Sequence, residues 1–181
     1  MTTTEIAGIG RFEPRDARDR AEWKRLADFV SAQGVAAFSR DPLIGGHVTG
    51  SAFILSQDGS AVLLTHHAKL DRWLQLGGHC DGIADARFTA LKEAYEESGL
   101  ARIHLLSDQV FDVDIHEIPA GKEPAHLHYD VRFLMQADAG DIAVSEESHD
   151  LAWVPLDRLE DYTSAQSVLR MRDRLKKGGG V

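Results

Sequence analysis

Three carboxylates fall at i, i+3 and i+4 in the run KEAYEE: Glu93, Glu96 and Glu97. On a helix they share one face, where like charges repel and weaken the helix. A cation held between them removes that cost. Carboxylate oxygens suit hard divalent ions such as Mg²⁺ or Mn²⁺. The chemistry this favours is metal-assisted attack on an anionic substrate, a diphosphate first of all.

The helix that must carry these acids is well marked. Asp85 or the loop before it can cap its start, and Gly99 follows its last turn as a stop. At roughly 100° per residue, Phe88, Leu91 and Tyr95 form one stripe and the glutamates lie opposite. The expectation is that this apolar stripe pins the helix to a core while the acids point into a cleft. The Gly77-Gly78 pair ahead of it lets the backbone turn tightly and approach a ligand or ion.

From Gly78 to Leu100 the chain resembles a Nudix box. That family pattern runs glycine, five residues, Glu, seven residues, Arg-Glu, an aliphatic residue, any residue, Glu-Glu, any residue, Gly and an aliphatic residue. Glu93, Ala94, Glu96, Glu97, Gly99 and Leu100 match, while Ala84 stands in place of the first Glu and Lys92 in place of the Arg. Weaker similarity extends from about His47 to Leu159, including WLQLGGH and LAWVPLDRL. The resemblance implies an α+β fold, an α/β/α sandwich with a mixed sheet, and hydrolysis of a diphosphate linkage in a nucleoside-diphosphate-type small molecule. It implies Mg²⁺ or Mn²⁺ held by Glu93, Glu96, Glu97 and Gly78. It also implies a catalytic role for Glu97 and a proton-accepting carboxylate, either Glu93 or one from the polar loop holding Glu146, Glu147 and Asp150, with Glu147 the choice there. Two rivals remain: a catalytically silent nucleotide sensor, which the altered Ala84 and Lys92 positions allow, and a prenyl-diphosphate isomerase. Isomerases of this fold carry a reactive cysteine where this chain has Gly77, which argues against the second.

A second constellation lies downstream. Asp112, Asp114 and His116 alternate with apolar residues, and so do His126, His128, Asp130 and Arg132. Strand side chains alternate faces, so each segment has one apolar face and one ionisable face. Paired as a hairpin, the two segments would gather all these groups on one surface. Three readings stay open: a cleft wall where His126, His128, Asp130 and Arg132 meet substrate, a solvated sheet face, or a second metal site, since His-x-His near an Asp can bind Zn²⁺ or Mn²⁺. His79 and Arg72, the latter in a small basic patch with His66, His67 and Lys69, are further substrate-binding candidates. Cys80 has no evident base beside it, and Trp73 and Trp153 read as packing residues.

Bulk properties fit a small globular enzyme. With 181 residues, 43% hydrophobic and 27% charged, the chain can bury a real core. A net charge of −9 disfavours a nucleic-acid polymer as partner. No run of apolar residues is long enough for a membrane span, and the N-terminal residues do not read as a signal peptide. One cysteine excludes an internal disulfide and leaves the redox compartment open, with the cytoplasm the default expectation.

The expected organisation is a helical N-terminal extension over residues 1–43 and a hydrolase domain over 44–181. Trp23, Leu26, Phe29 and Val30 recur at helical spacing between Pro14 and Phe38. That helix can pack on its own domain or on a second copy, which leaves a homodimer open. Strands are expected at Val48–Leu55, Ala61–Thr65, Trp73–Leu76, Ile103–Leu106, Val110–Ile118, His126–Ala137 and Leu151–Val154, with Asp58-Gly59 a hairpin turn. Helical segments follow Pro155 and run from about Ser164 to Lys176.

Overall fold

A computed structural model describes residues 5–144 and 148–177. Helix α1 (Ala17–Gln33) leads through a 3₁₀ turn (Gly34–Phe38) to strand β1 (Gly46–Leu55). Strands β2 (Ala61–His67), β3 (Arg72–Leu74) and β4 (Leu76–His79) follow, then helix α2 (Ala86–Ser98). Next come β5 (Ile103–Leu105), β6 (Asp112–Ile118), β7 (His126–Ala137) and β8 (Ser148–Pro155), a 3₁₀ segment (Leu156–Asp161) and helix α3 (Gln166–Lys177). The class is the expected α+β, a mixed sheet with helices in which α1 precedes the strands. The strands are hydrogen-bonded in the order β3-β2-β1-β7-β5, with β4 on β1, β6 on β7 and β8 on β2. Among the described residues no helix is long and apolar enough to cross a membrane.

The chain packs as two compact units. One comprises the residues through Ser51, Gly77–Ala90 and Ser107–Phe133. Its core gathers Phe12, Trp23, Leu26, Val48, Val131 and Phe133. Asp16 caps α1 by accepting from the Asp19 N–H. Phe29 of α1 stacks on Tyr129 of β7 at 4.0 Å between ring centres. The other unit comprises Ala52–Leu76, Leu91–Leu106 and the residues from Leu134 on. There β2 pairs along its whole length with β8 and at its end with β3, over a core that includes Leu63, Leu64, Val154, Leu159 and Met171.

Two expectations change. The segment expected as one strand, Trp73–Leu76, is split: β3 pairs with β2, while β4 continues into the double glycine and pairs with β1. Gly77 and Gly78 are therefore strand residues rather than a turn. A Cβ on Gly77 would stand 2.3 Å from Ser51 Oγ and 2.8 Å from the Gly50 carbonyl, so the tight approach there is to a neighbouring strand. Second, the face of α2 that packs is not Phe88–Leu91–Tyr95. Phe88 is 51% and Tyr95 37% exposed, whereas Ala86, Thr89, Ala90, Ala94 and Ser98 are buried. The reason lies in Gly50 of β1: a Cβ there would meet the Ala86 carbonyl at 2.4 Å and the Ala90 nitrogen at 2.9 Å. Only small residues fit against so close a strand, and large apolar side chains are turned outward. We expect Gly50→Ala to cost about 1–3 kcal/mol, the range for overpacking a filled contact. Gly121→Ala, where a Cβ meets nothing within 4 Å, should be near neutral by the same urea titration.

Candidate functional site

The start of α2 is built as the sequence suggests, with one addition. Asp85 is the cap: its Oδ1 accepts from the Phe88 N–H at 2.9 Å. The addition is the N-terminal segment. The Ala86 N–H donates to the Gly8 carbonyl at 2.9 Å, and a Cβ on Gly8 would lie 2.7 Å from the Ala84 carbonyl. The carbonyl of Ala84, at the place of an acid in the resembled pattern, thus lies close to Gly8 while the residue itself is exposed. At the other end Gly99 sits at φ +67 and donates its N–H to the Tyr95 carbonyl, the stop expected of it. Tyr95 Oη both donates to the Ile103 carbonyl, at 3.2 Å, and accepts from the Ile103 N–H, at 3.0 Å.

Of the three box carboxylates, Glu93 and Glu97 are half-buried and Glu96 is exposed. Lys92 Nζ donates to Glu93 Oε1 at 3.0 Å and to Glu96 Oε2 at 2.8 Å. Glu96 first and Glu93 second raise the Lys92 pKa. Two of the three acids therefore already converge on one positive charge. An all-oxygen donor set that gathers a cation in this way fits a hard divalent ion.

The downstream constellation pairs as expected. In the β6–β7 ladder Asp112 faces Arg132, Asp114 faces Asp130, His116 faces His128, and Ile118 faces His126. One end of this face is an enclosed ion-pair network. Arg132, only 2% exposed, lies 2.7 Å from Asp130, 3.4 Å from Asp112 and 3.5 Å from Asp114. Burial alone would lower the Arg132 pKa, but the three aspartates outweigh it and raise it. Thr49 and Ser51 of β1 donate to Asp130 Oδ1 at 3.0 and 2.7 Å. Arg18 of α1 adds a contact to Asp114 at 3.1 Å and donates to the Val113 carbonyl at 2.8 Å. Asp130 and Arg132, expected to meet substrate, are placed where they bind one another and the fold.

The other end is a histidine cluster drawn from four strands. His128 lies beside His47 of β1, His79 of β4, His116 of β6 and its own neighbour His126, with ring centres 4.7 to 5.5 Å apart. His47 is 3% exposed. Burial, reinforced by His79, His126 and Arg40, pulls its pKa down to about 4. Burial and then the other histidines pull His128 down to about 2, and burial followed by Arg40 lowers His79. These three rings are neutral near pH 7 and present lone pairs and N–H groups rather than positive charge. A cavity of about 310 Å³ opens beside His47 and His126, lined also by Arg40, Asp41, Lys122 and Glu123.

The structure thus joins His79 to His116, His126 and His128, the last three already expected on one face, and adds His47. The sequence singled out no role for His47: a lone histidine in a strand carries no pattern, and only the adjacency of β4, β1, β7 and β6 gives it company. Gly78 lies half-buried in β4, and Arg72 is exposed on β3. Glu146 and Glu147 lie outside the described residues. Asp150 Oδ1 accepts from the Leu151 N–H at 2.8 Å. Trp73 packs between His66, stacked at 5.1 Å, and the edge of Tyr162 at 5.5 Å. Burial raises the Cys80 thiol to about 11, which leaves it inert as a nucleophile.

Known proteins share this architecture. A hydrolase of the NUDIX family from Clostridium perfringens superposes with a TM-score of 0.56 at 24% identity, over 72% of this chain and 97% of its own. The Escherichia coli dihydroneopterin triphosphate pyrophosphohydrolase gives 0.55 at 15% identity, over 78% and 99%. The NUDIX domain of Shewanella oneidensis NrtR, solved with ADP ribose, gives 0.54 at 17%, over 72% and 86%. These likenesses establish the fold. No curated protein sequence matches the chain. The model of the NUDIX domain matches residues 46–174, most of the chain and all of the acid-bearing helix. The chain belongs to the NUDIX hydrolase family.

Proposed function

We propose that this protein is a metal-dependent hydrolase that cleaves the diphosphate linkage of a nucleoside-diphosphate-type small molecule. The observation that carries this reading is the convergence of box carboxylates on one positive charge at Lys92, in a chain of the NUDIX hydrolase family. Glu93, Glu96 and Glu97 would hold Mg²⁺ or Mn²⁺. Bound there, such an ion polarises phosphoryl oxygens and lowers the pKa of water. Glu93 takes the proton of the attacking water, with Glu147 the alternative from the loop. The relatives support the substrate class: one is named for a triphosphate that it cleaves as a pyrophosphohydrolase, and another was solved with ADP ribose.

A panel of nucleotide sugars, dinucleotides and nucleoside triphosphates with Mg²⁺ or Mn²⁺ tests the reading. Phosphate is followed with phosphatase added, for monoester products, and with pyrophosphatase added. Metal-dependent release from at least one diphosphate is expected; tight nucleotide binding without any product would instead make the chain a silent binder. Lys92 competes for the same oxygens, so its removal should ease metal loading. Lys92→Met should lower the Mg²⁺ concentration giving half-maximal rate by about 1.4- to 5-fold, the scale of an exposed ion pair worth about 0.2–1 kcal/mol. A rise in that concentration would show that Lys92 holds the acids in place rather than competing with the metal.

A further inference from the structure

We propose that His47, His126 and His128 form a site for one transition-metal dication of the zinc class, chemically distinct from the oxygen donors of α2. One nitrogen from each of the three rings falls within 4.8 Å of the other two. His126 Nε2 and His128 Nε2 are 3.3 Å apart. Two Zn–N bonds of about 2.05 Å meeting at a tetrahedral angle separate their nitrogens by about 3.3 Å. The pair is therefore already at ligand spacing.

The tautomers agree with this role. His126 Nδ1 faces the Pro124 carbonyl at 2.8 Å and must carry the hydrogen, which leaves Nε2 bare and aimed at His128. A carbonyl holding the far nitrogen of a histidine is the support that metal-bound imidazoles require. The third ring supplies an independent sign. His47 Nε2 is buried, and among the described residues it has no hydrogen-bond partner. A buried ring nitrogen left without a partner costs free energy, and a metal bond removes that cost. Glu123, 4.0 Å from His126 Nε2 at the cavity rim, can close the fourth position or yield it to an anion drawn in by Arg40 and Lys122. Imidazole donors favour Zn²⁺, Cu²⁺, Ni²⁺ or Fe²⁺ over Mg²⁺. The site does not depend on diphosphate cleavage.

The test uses the full chain without an affinity tag, stripped with a chelator and titrated with ZnCl₂ against a chromophoric competitor. One Zn²⁺ per chain is expected. His128→Asn and His126→Gln should each weaken it by more than about 100-fold, beyond what the loss of a supporting partner costs, whereas Glu97→Gln should leave it unchanged. Cobalt absorption of the unmutated chain gives a second readout that needs no variant: intense visible bands report tetrahedral nitrogen ligation. Absence of binding, binding indifferent to both histidine variants, binding lost with Glu97→Gln, or a pale octahedral cobalt spectrum would each overturn the proposal.

Discussion

Glu97→Gln should lower metal-dependent turnover by at least about 10²–10³-fold, the loss that follows removal of one preorganised electrostatic group. The substitution keeps the shape of a half-buried side chain and deletes only its charge. The helix should survive it. Its packing rests on Ala86, Ala90, Ala94 and Ser98, none of which touches the carboxylate's charge state, and removing one of three like charges relieves repulsion. The melting temperature should therefore move by less than about 4 °C, equivalent to roughly 1 kcal/mol for a chain of this size. Steady-state rates at saturating Mg²⁺, read beside a thermal melt, separate the two effects. Near-full activity of a well-folded Glu97→Gln chain would remove Glu97 from the reaction.

The largest effect on stability belongs to Arg132. Arg132→Met keeps the length and apolar stem of the side chain but removes the buried cation that Asp112, Asp114 and Asp130 share, leaving Arg18 near the first two and the Thr49 and Ser51 hydroxyls on the third. Breaking a buried ion pair from one side costs about 3–5 kcal/mol, because the remaining charges lose their partner without regaining water. The expected fall in melting temperature is about 6–20 °C. Adding Asp130→Asn should recover part of this, since the amide still meets Thr49 and Ser51 while one of the three like charges disappears. A fall of only one or two degrees in Arg132→Met would show that the network is solvated and that Arg132 is available to a ligand.

Much of this was legible because it rests on period and spacing. Alternation with period two in Asp112–Ile118 and His126–Phe133 specified both strands and the face they share, because a slip by one residue would turn every ionisable group to the other side, while the register itself came from the structure. The acid-bearing helix was legible from its cap, its stop and the family pattern. What was not legible depends on partners distant in sequence. The buried face of α2 is set by Gly50, more than thirty residues upstream, and hydrophobicity alone pointed to the opposite stripe. The Gly8 carbonyl that receives the Ala86 N–H has no signature in the residues around either. Arg132 looked like a phosphate ligand because sequence shows charge but not burial. His47 became visible only once β1 and β7 were neighbours in the sheet.

The central claim is that the acids of α2 gather divalent metal, and Mn²⁺ binding followed by electron paramagnetic resonance tests it most directly. The unmutated chain should quench the free Mn²⁺ signal stoichiometrically, and the Glu93→Gln, Glu97→Gln double variant should leave the signal at its buffer intensity. Equal quenching by the two folded proteins would contradict the account.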